Sequence, residues 1–136
     1  MNRILAIDYG GKRCGMAWTD PLRISINPLD TVSTLEFDNV LLRYLTSGEV
    51  SDVVFGLPKH ADGNLTKIGS KVIEMVDKLK SKFQAVNFHY IDEAFTSQRA
   101  SQLMVSLGTK KKKRRQKETV DQMSAVLILR DFLETI

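Results

Sequence analysis

Three carboxylates carry most of the chemistry this sequence could perform: Asp8, Glu93 and Asp121. Asp8 directly follows the apolar run Ile4 to Ile7, which has no polar alternation and reads as a strand buried on both faces. A carboxylate at the end of a central strand is costly to desolvate unless it is paired or holds a cation. Gly10, Gly11 and Gly15 come next, and glycines permit unusual backbone angles and the close approach of a ligand to the main chain. A plain hairpin turn in which Asp8 caps its own backbone uses the same residues. Asp92 and Glu93 close another strand-like stretch, Val86 to Ile91. Asp121 aligns with Ala125, Ile128 and Phe132 at spacings of four, seven and eleven, which marks the inward face of a helix. An acid in a first helical turn also suits the macrodipole, so capping is the competing reading. Alignment with the apolar stripe favours an inward, functional Asp121, because buried acids are rare unless paired or metal-bound.

Three acids meeting at one place would form a hard-oxygen site suited to Mg²⁺ or Mn²⁺, whereas zinc normally recruits His or Cys. His89 alternates within a strand and His60 lies in a loop, so both read as ordinary residues. Two divalent ions ~3.5–4 Å apart activate a water and stabilise the leaving oxygen of a phosphodiester. Lys12, Arg13 and Lys59 adjoin the same stretches and could hold the backbone of a polyanion. The net charge of +4 is concentrated in one segment, Lys110, Lys111, Lys112, Lys113, Arg114, Arg115 and Lys117. Without that segment the chain has 13 basic against 16 acidic residues. So dense a block repels itself and is expected to form a mobile loop over about 109–118 that suits nucleic acid, although a solvated linker would have the same composition.

The elements that must position these groups are legible from periodicity. Arg3 to Asp20 reads as strand, glycine-bearing turn and strand, and the alternation Arg23-Ile-Ser-Ile-Asn27 suggests a third antiparallel strand with Pro21 and Pro28 near its limits. Ser33-Thr-Leu-Glu36 has capping-box spacing, and Phe37, Val40, Leu41, Tyr44 and Leu45 follow at helical intervals up to Gly48. Asp52 to Gly56 reads as a buried strand that Gly56-Leu57-Pro58 ends abruptly. A polar loop over 59–63 precedes an amphipathic helix marked by Ile68, Val72, Met75, Val76, Leu79 and Phe83. After the strand over 86–91, Thr96 can cap a helix that stops at Gly108, and a last helix runs from about Thr119 to Leu133. The order implies an α/β fold, a mixed five-stranded sheet of three antiparallel strands and then parallel strands, with helices on both faces. Ligands of such sheets collect beyond the carboxyl ends of the strands, where Asp8, Gly56 to Pro58 and Glu93 fall.

With 136 residues, 43% of them hydrophobic and 26% charged, the chain is expected to be one domain over 1–136 with a sizeable core. No apolar stretch approaches the ~20 residues of a membrane span, and a secretory leader is not expected before Asp8. A single cysteine, Cys14, reads as a packing residue and fits a reducing cytoplasm.

Ile7-Asp8-Tyr9-Gly10 with Lys12, Arg13 and Gly15, Gly56-Leu57-Pro58 with Asp62-Gly63, Asp92-Glu93 with Thr96, and Asp121 with Ala125 and Ile128-Leu129 occur in that order. Together, over nearly the whole chain, they resemble the YqgF (RuvX) family of Holliday junction resolvase-like proteins. The resemblance implies an RNase H-like fold related to the RuvC resolvases and a metal-dependent nuclease. It also implies processing of the 5′ end of precursor 16S ribosomal RNA, with Asp8, Glu93 and Asp121 as the acidic triad. Ala94 stands where that family usually has Arg, and Gly11 stands where Thr is common.

Other functions fit parts of the pattern. A junction resolvase would need two sites and hence a dimer, but every amphipathic stripe is used by the sheet, which favours a monomer acting on RNA. A nucleic-acid-binding factor without catalysis would not require all three acids. The Ile-Asp-Tyr-Gly-Gly segment also resembles the phosphate-binding hairpin of sugar kinases and actin-like ATPases, which generally need two related lobes.

Overall fold

A computed structural model describes residues 2–92 and 117–135, apart from the side chains of 117–121. Five strands, β1 (Arg3–Tyr9), β2 (Arg13–Thr19), β3 (Ile26–Ser33), β4 (Val50–Leu57) and β5 (Asn87–Asp92), form one sheet in the order β3-β2-β1-β4-β5. The β1–β2 and β2–β3 pairs are antiparallel, and the β1–β4 and β4–β5 pairs are parallel. This is the mixed sheet that the order of elements predicts.

Helices α1 (Thr34–Thr46) and α2 (Lys67–Lys82) cover one face and α3 (Lys117–Thr135) covers the other. β1 lies between them. Leu5, Ile7 and Tyr9 pack with Phe37 and Leu41 of α1 and Val72 and Val76 of α2. Ile4 and Ala6 pack with Ala125, Ile128, Leu129 and Phe132 of α3. Ile4 to Ile7 are fully buried, as an uninterrupted apolar run requires of a central strand. Each large side chain so enclosed contributes about 1.5–3 kcal/mol from area removed from water. Cys14 belongs to the α1–α2 side of the core.

The third strand differs from expectation. Residues 23–25 lie outside it, and β3 instead runs through Pro28 to Ser33. Asp20 is the cause: its Oδ1 accepts from the backbone N–H of Ile24 at 2.7 Å and of Ser25 at 2.8 Å, closing a turn. Within that turn Arg23 adopts φ 60°, which no strand accommodates. Pro28, opposite Ala17, is tolerated because β3 is a sheet edge.

The helices begin where local chemistry directs. Ser33 caps α1 by accepting from the N–H of Leu35, and Gly48 at φ 77° lets the chain leave it. Thr66 caps α2 by accepting from the N–H of Gly69 at 3.1 Å. α3 starts at Lys117, slightly before the expected Thr119. The helix expected after Thr96, its stop at Gly108 and most of the basic loop lie outside the described residues.

Candidate functional site

Asp8 occupies the penultimate position of β1, and strand alternation turns it toward α3, on the face of Ile4 and Ala6. Gly15 stands directly opposite it on β2. On the other side Ile7 meets Phe55 of β4, and Gly56 comes next, on the face of Val54 that α3 covers. Asp8 therefore has a glycine on each neighbouring strand, and neither projects a side chain over its carboxylate. Asp8 is half-buried, and no described residue hydrogen-bonds to or ion-pairs with its carboxylate. A half-buried carboxylate flanked by two glycines and lacking a partner among the described residues fits a cation-binding role. Backbone contacts fix the adjoining turn. Thr34 Oγ1 donates to the Gly10 carbonyl at 2.8 Å, and a Cβ on Gly10 would come within 2.5 Å of the Arg13 carbonyl oxygen.

The carboxyl ends of β4 and β5 lie beside this position. Gly56 is level with Ile91, and Leu57 with Asp92. Pro58 leads into a closed loop, in which Lys59 bridges to Leu65 and the Pro58 carbonyl accepts from both Thr66 N–H at 3.3 Å and Thr66 Oγ1 at 3.2 Å. Lys59 Nζ reaches across to Asp92 Oδ1 at 2.9 Å, joining the exits of the two strands. In the same loop Asp62 accepts from the backbone N–H of Asn64 at 2.9 Å, and this bond holds its carboxyl below the ordinary carboxylate range.

Asp121 lies within α3, in the first part of the helix that crosses the face bearing Asp8. Its neighbour Gln122 donates to the Leu29 carbonyl at 3.0 Å, and Ala125 packs into the cluster containing Ala6 and Ala17. Glu93, Thr96 and the run Lys110 to Arg115 lie outside the described residues, as does the side chain of Asp121. Among the described residues no three of His, Cys, Asp and Glu are grouped to hold a metal. Of the predicted acids, only Asp8 has a described side chain.

One cluster that the sequence did not reveal lies at the opposite edge of the sheet. Asp52, near the start of β4, accepts from Ser51 Oγ at 2.7 Å and Arg23 at 3.1 Å, and its Oδ2 lies 2.9 Å from His89 Nε2. Burial alone would raise the Asp52 carboxyl, but Ser51, His89 and Arg23 together outweigh it and hold the group below its ordinary value. His89, read from sequence as an ordinary strand residue, thus has a carboxylate partner, and its ring packs tilted by 42° against that of Phe132 of α3, with centroids 4.7 Å apart. The cluster ties the turn after β2 and the last helix to the sheet, far from Asp8 along β4.

Comparison with known proteins gives a consistent result. The family model "RuvX: Holliday junction resolvase" matches residues 2–135. A Phocaeicola vulgatus protein named "Putative pre-16S rRNA nuclease" is 39% identical over 135 residues, covering 99% of this chain and 97% of the relative. A protein of the same name from Christiangramia forsetii is 41% identical over 133 residues, with 98% of each chain covered. Among solved structures, T. thermophilus RuvC in complex with a Holliday junction substrate superposes with a TM-score of 0.57 at 16% identity, covering 99% of this chain and 96% of that one. That likeness establishes a shared RNase H-like fold.

Proposed function

The chain belongs to the RuvX family, and we propose that it is a divalent-metal-dependent nuclease that trims structured RNA, with precursor 16S ribosomal RNA as its substrate class. The observation that carries this reading is the Asp8 carboxylate, half-buried and without a partner among the described residues, between Gly15 and Gly56 at the carboxyl edge of the sheet. Its relatives' name supplies the substrate class. In this reading Asp8, Glu93 and Asp121 together hold Mg²⁺ or Mn²⁺. A pair of such ions, when bound, supplies an activated water and charge stabilisation at the leaving oxygen. The chain's own contribution is positional. Gly15 and Gly56 place no side chain beside Asp8, and Gly10 and Pro58 shape the flanking turns. Lys12, Arg13, Lys59 and the Lys110–Arg115 run attract and orient the polyanion.

The test is cleavage of a structured single-stranded RNA by wild type and Asp8→Asn, purified side by side, with Mn²⁺, Mg²⁺ or EDTA. Metal-dependent cleavage lost in the variant supports the proposal. Equal cleavage by both proteins would remove Asp8 from the chemistry, and tight binding without cleavage would make the protein a binding factor. A four-way DNA junction assayed in parallel separates RNA trimming from junction resolution, which would also need a dimer in solution.

A further inference from the structure

A row of lysines follows the carboxyl edge of the sheet on the side away from α3. Lys71 Nζ lies 5.7 Å from the centroid of the Tyr9 ring, and Tyr9 is only 6% exposed and packed edge-on against Phe37 at 5.3 Å. The ring, on the last residue of β1, is thus a fixed seat. Lys67 precedes Lys71 by four residues and shares its helix face, and the first turn of α2 contains no acid. Lys12 lies at the tip of the adjoining hairpin, and its carbonyl accepts from the N–H of Thr34 at 3.0 Å. Lys59 closes the row from the β4 exit.

These lysines stand on elements that are locked together. Gly69 of α2 touches the β4 exit so closely that a Cβ there would meet the Pro58 carbonyl oxygen at 2.8 Å and Leu65 Cδ2 at 3.1 Å. Thr34 ties the hairpin to the start of α1 through Gly10 and Lys12. Lys12, Lys59, Lys67 and Lys71 are all exposed. Among the described residues Lys59 is paired with Asp92, whereas Lys12, Lys67 and Lys71 have no carboxylate partner. Asp62, the acid in the intervening loop, already accepts from Asn64 through both its oxygens. Like charges gathered with so little neutralisation suit a polyanion, whose binding releases condensed counterions.

We propose that Lys12, Lys67 and Lys71 form a phosphate track that leads a single RNA strand over the start of α2 and around the carboxyl ends of β1 and β4 to Asp8, whose carboxylate faces the other side of the sheet. The track deepens the nuclease reading and rests on it, since it assumes that the strand ends its path at that carboxylate. The far end of α2 supplies an internal control: Lys78 and Lys82 are equally exposed but line a groove with Asp38 of α1.

The experiment measures the dissociation constant of a labelled single-stranded RNA oligonucleotide with EDTA present, across a salt series. The Lys67→Gln/Lys71→Gln double variant should weaken binding about tenfold at low salt and flatten the log–log salt slope by about 1 to 1.5, because each lost single-strand phosphate contact removes about 0.7. The Lys78→Gln/Lys82→Gln double variant, with the same loss of charge, should keep the wild-type slope. Equal flattening by both doubles, or none by either, overturns the track. Manganese-dependent cleavage by wild type is scored separately. Cleavage with unchanged slopes rejects the track and leaves the nuclease reading intact, whereas a selective slope change without any cleavage supports the track and rejects the nuclease reading.

Discussion

Asp8 stands directly opposite Gly15 in the antiparallel ladder between β1 and β2. Opposed residues on one face of such a pair have Cβ atoms about 4.5–5.5 Å apart, so any side chain at position 15 would crowd the carboxylate. Gly15→Val is expected to raise the Mn²⁺ concentration needed for half-maximal cleavage at least tenfold, with Gly15→Ala intermediate. Overpacking beside α3 should also lower stability by about 1–3 kcal/mol. A manganese titration of the cleavage rate, with a thermal melt on the same samples, checks both. Unchanged metal demand in a folded Gly15→Val protein would contradict the assigned role of this gap.

Asp52 gives a prediction about stability without activity. The folded protein holds its carboxyl below the ordinary value through Ser51, His89 and Arg23, against the opposing effect of burial. A depressed carboxylate stabilises the fold above its unfolded pKa of about 3.9, and that contribution is lost as pH falls through the folded value. Asp52→Ala should therefore cost about 1.5–3 kcal/mol at neutral pH, the range for hydrogen bonds to a charged group. The gap to wild type should close as pH falls below about 4. Urea unfolding of both proteins from pH 7 to pH 3 measures this gap, and a pH-independent difference would mean that the carboxylate charge contributes nothing. Cleavage at neutral pH should be unchanged below the melting temperature, since the cluster lies at the opposite end of β4.

The parts of the fold and site that were legible in the sequence are those dictated by local physics. Ile4 to Ile7 could only be a strand covered twice, and an acid directly after it had to be functional or capping. The inward stripe of Ala125, Ile128 and Phe132 likewise placed the last helix on a face of the sheet. The third strand was misplaced because Arg23 to Asn27 alternates as a strand does. Its backbone obeys Asp20, a side chain whose acceptor role no hydrophobic pattern records. His89 and Asp52 are 37 residues apart and meet only through the β4–β5 register. Lys71 above Tyr9 required knowing where α2 begins, which Thr66 and the close seat of Gly69 decide.

The two glycines after Tyr9 should respond oppositely to substitution. A Cβ at Gly10 would come within 2.5 Å of the Arg13 carbonyl oxygen, whereas one at Gly11 meets nothing within 4 Å. Gly10→Ala should thus distort the turn beside Asp8, lowering both the melting temperature and cleavage. Gly11→Thr should fold at least as stably as wild type, since a side chain there restricts the unfolded chain by about 0.4–1 kcal/mol without a clash. Thermal melts of the two variants decide it; a destabilised Gly11→Thr would show that this turn tolerates no side chain.

Lys59 and Asp92 separate positioning from stability. Their ammonium and carboxylate lie 2.9 Å apart, yet the side chains are 36% and 70% exposed. Exposed pairs of this kind contribute about 0–1 kcal/mol, so Lys59→Met and Asp92→Asn should each unfold within about 1 kcal/mol of wild type. Asp92 immediately precedes Glu93, and Lys59 springs from a loop closed by the Pro58–Thr66 and Lys59–Leu65 contacts. The pair therefore sets the relation between the β4 exit and the residue that leads into Glu93. Lys59→Met and Asp92→Asn should each lower the maximal cleavage rate about two- to fivefold, the range open to a pair contributing up to about 1 kcal/mol, and the double variant should do no worse, because either change alone breaks the pair. Lys59→Arg should restore much of the rate by remaking the pair. If Lys59 instead acts only by attracting phosphate, Asp92→Asn will leave the rate unchanged or raise it, and the two effects will be independent.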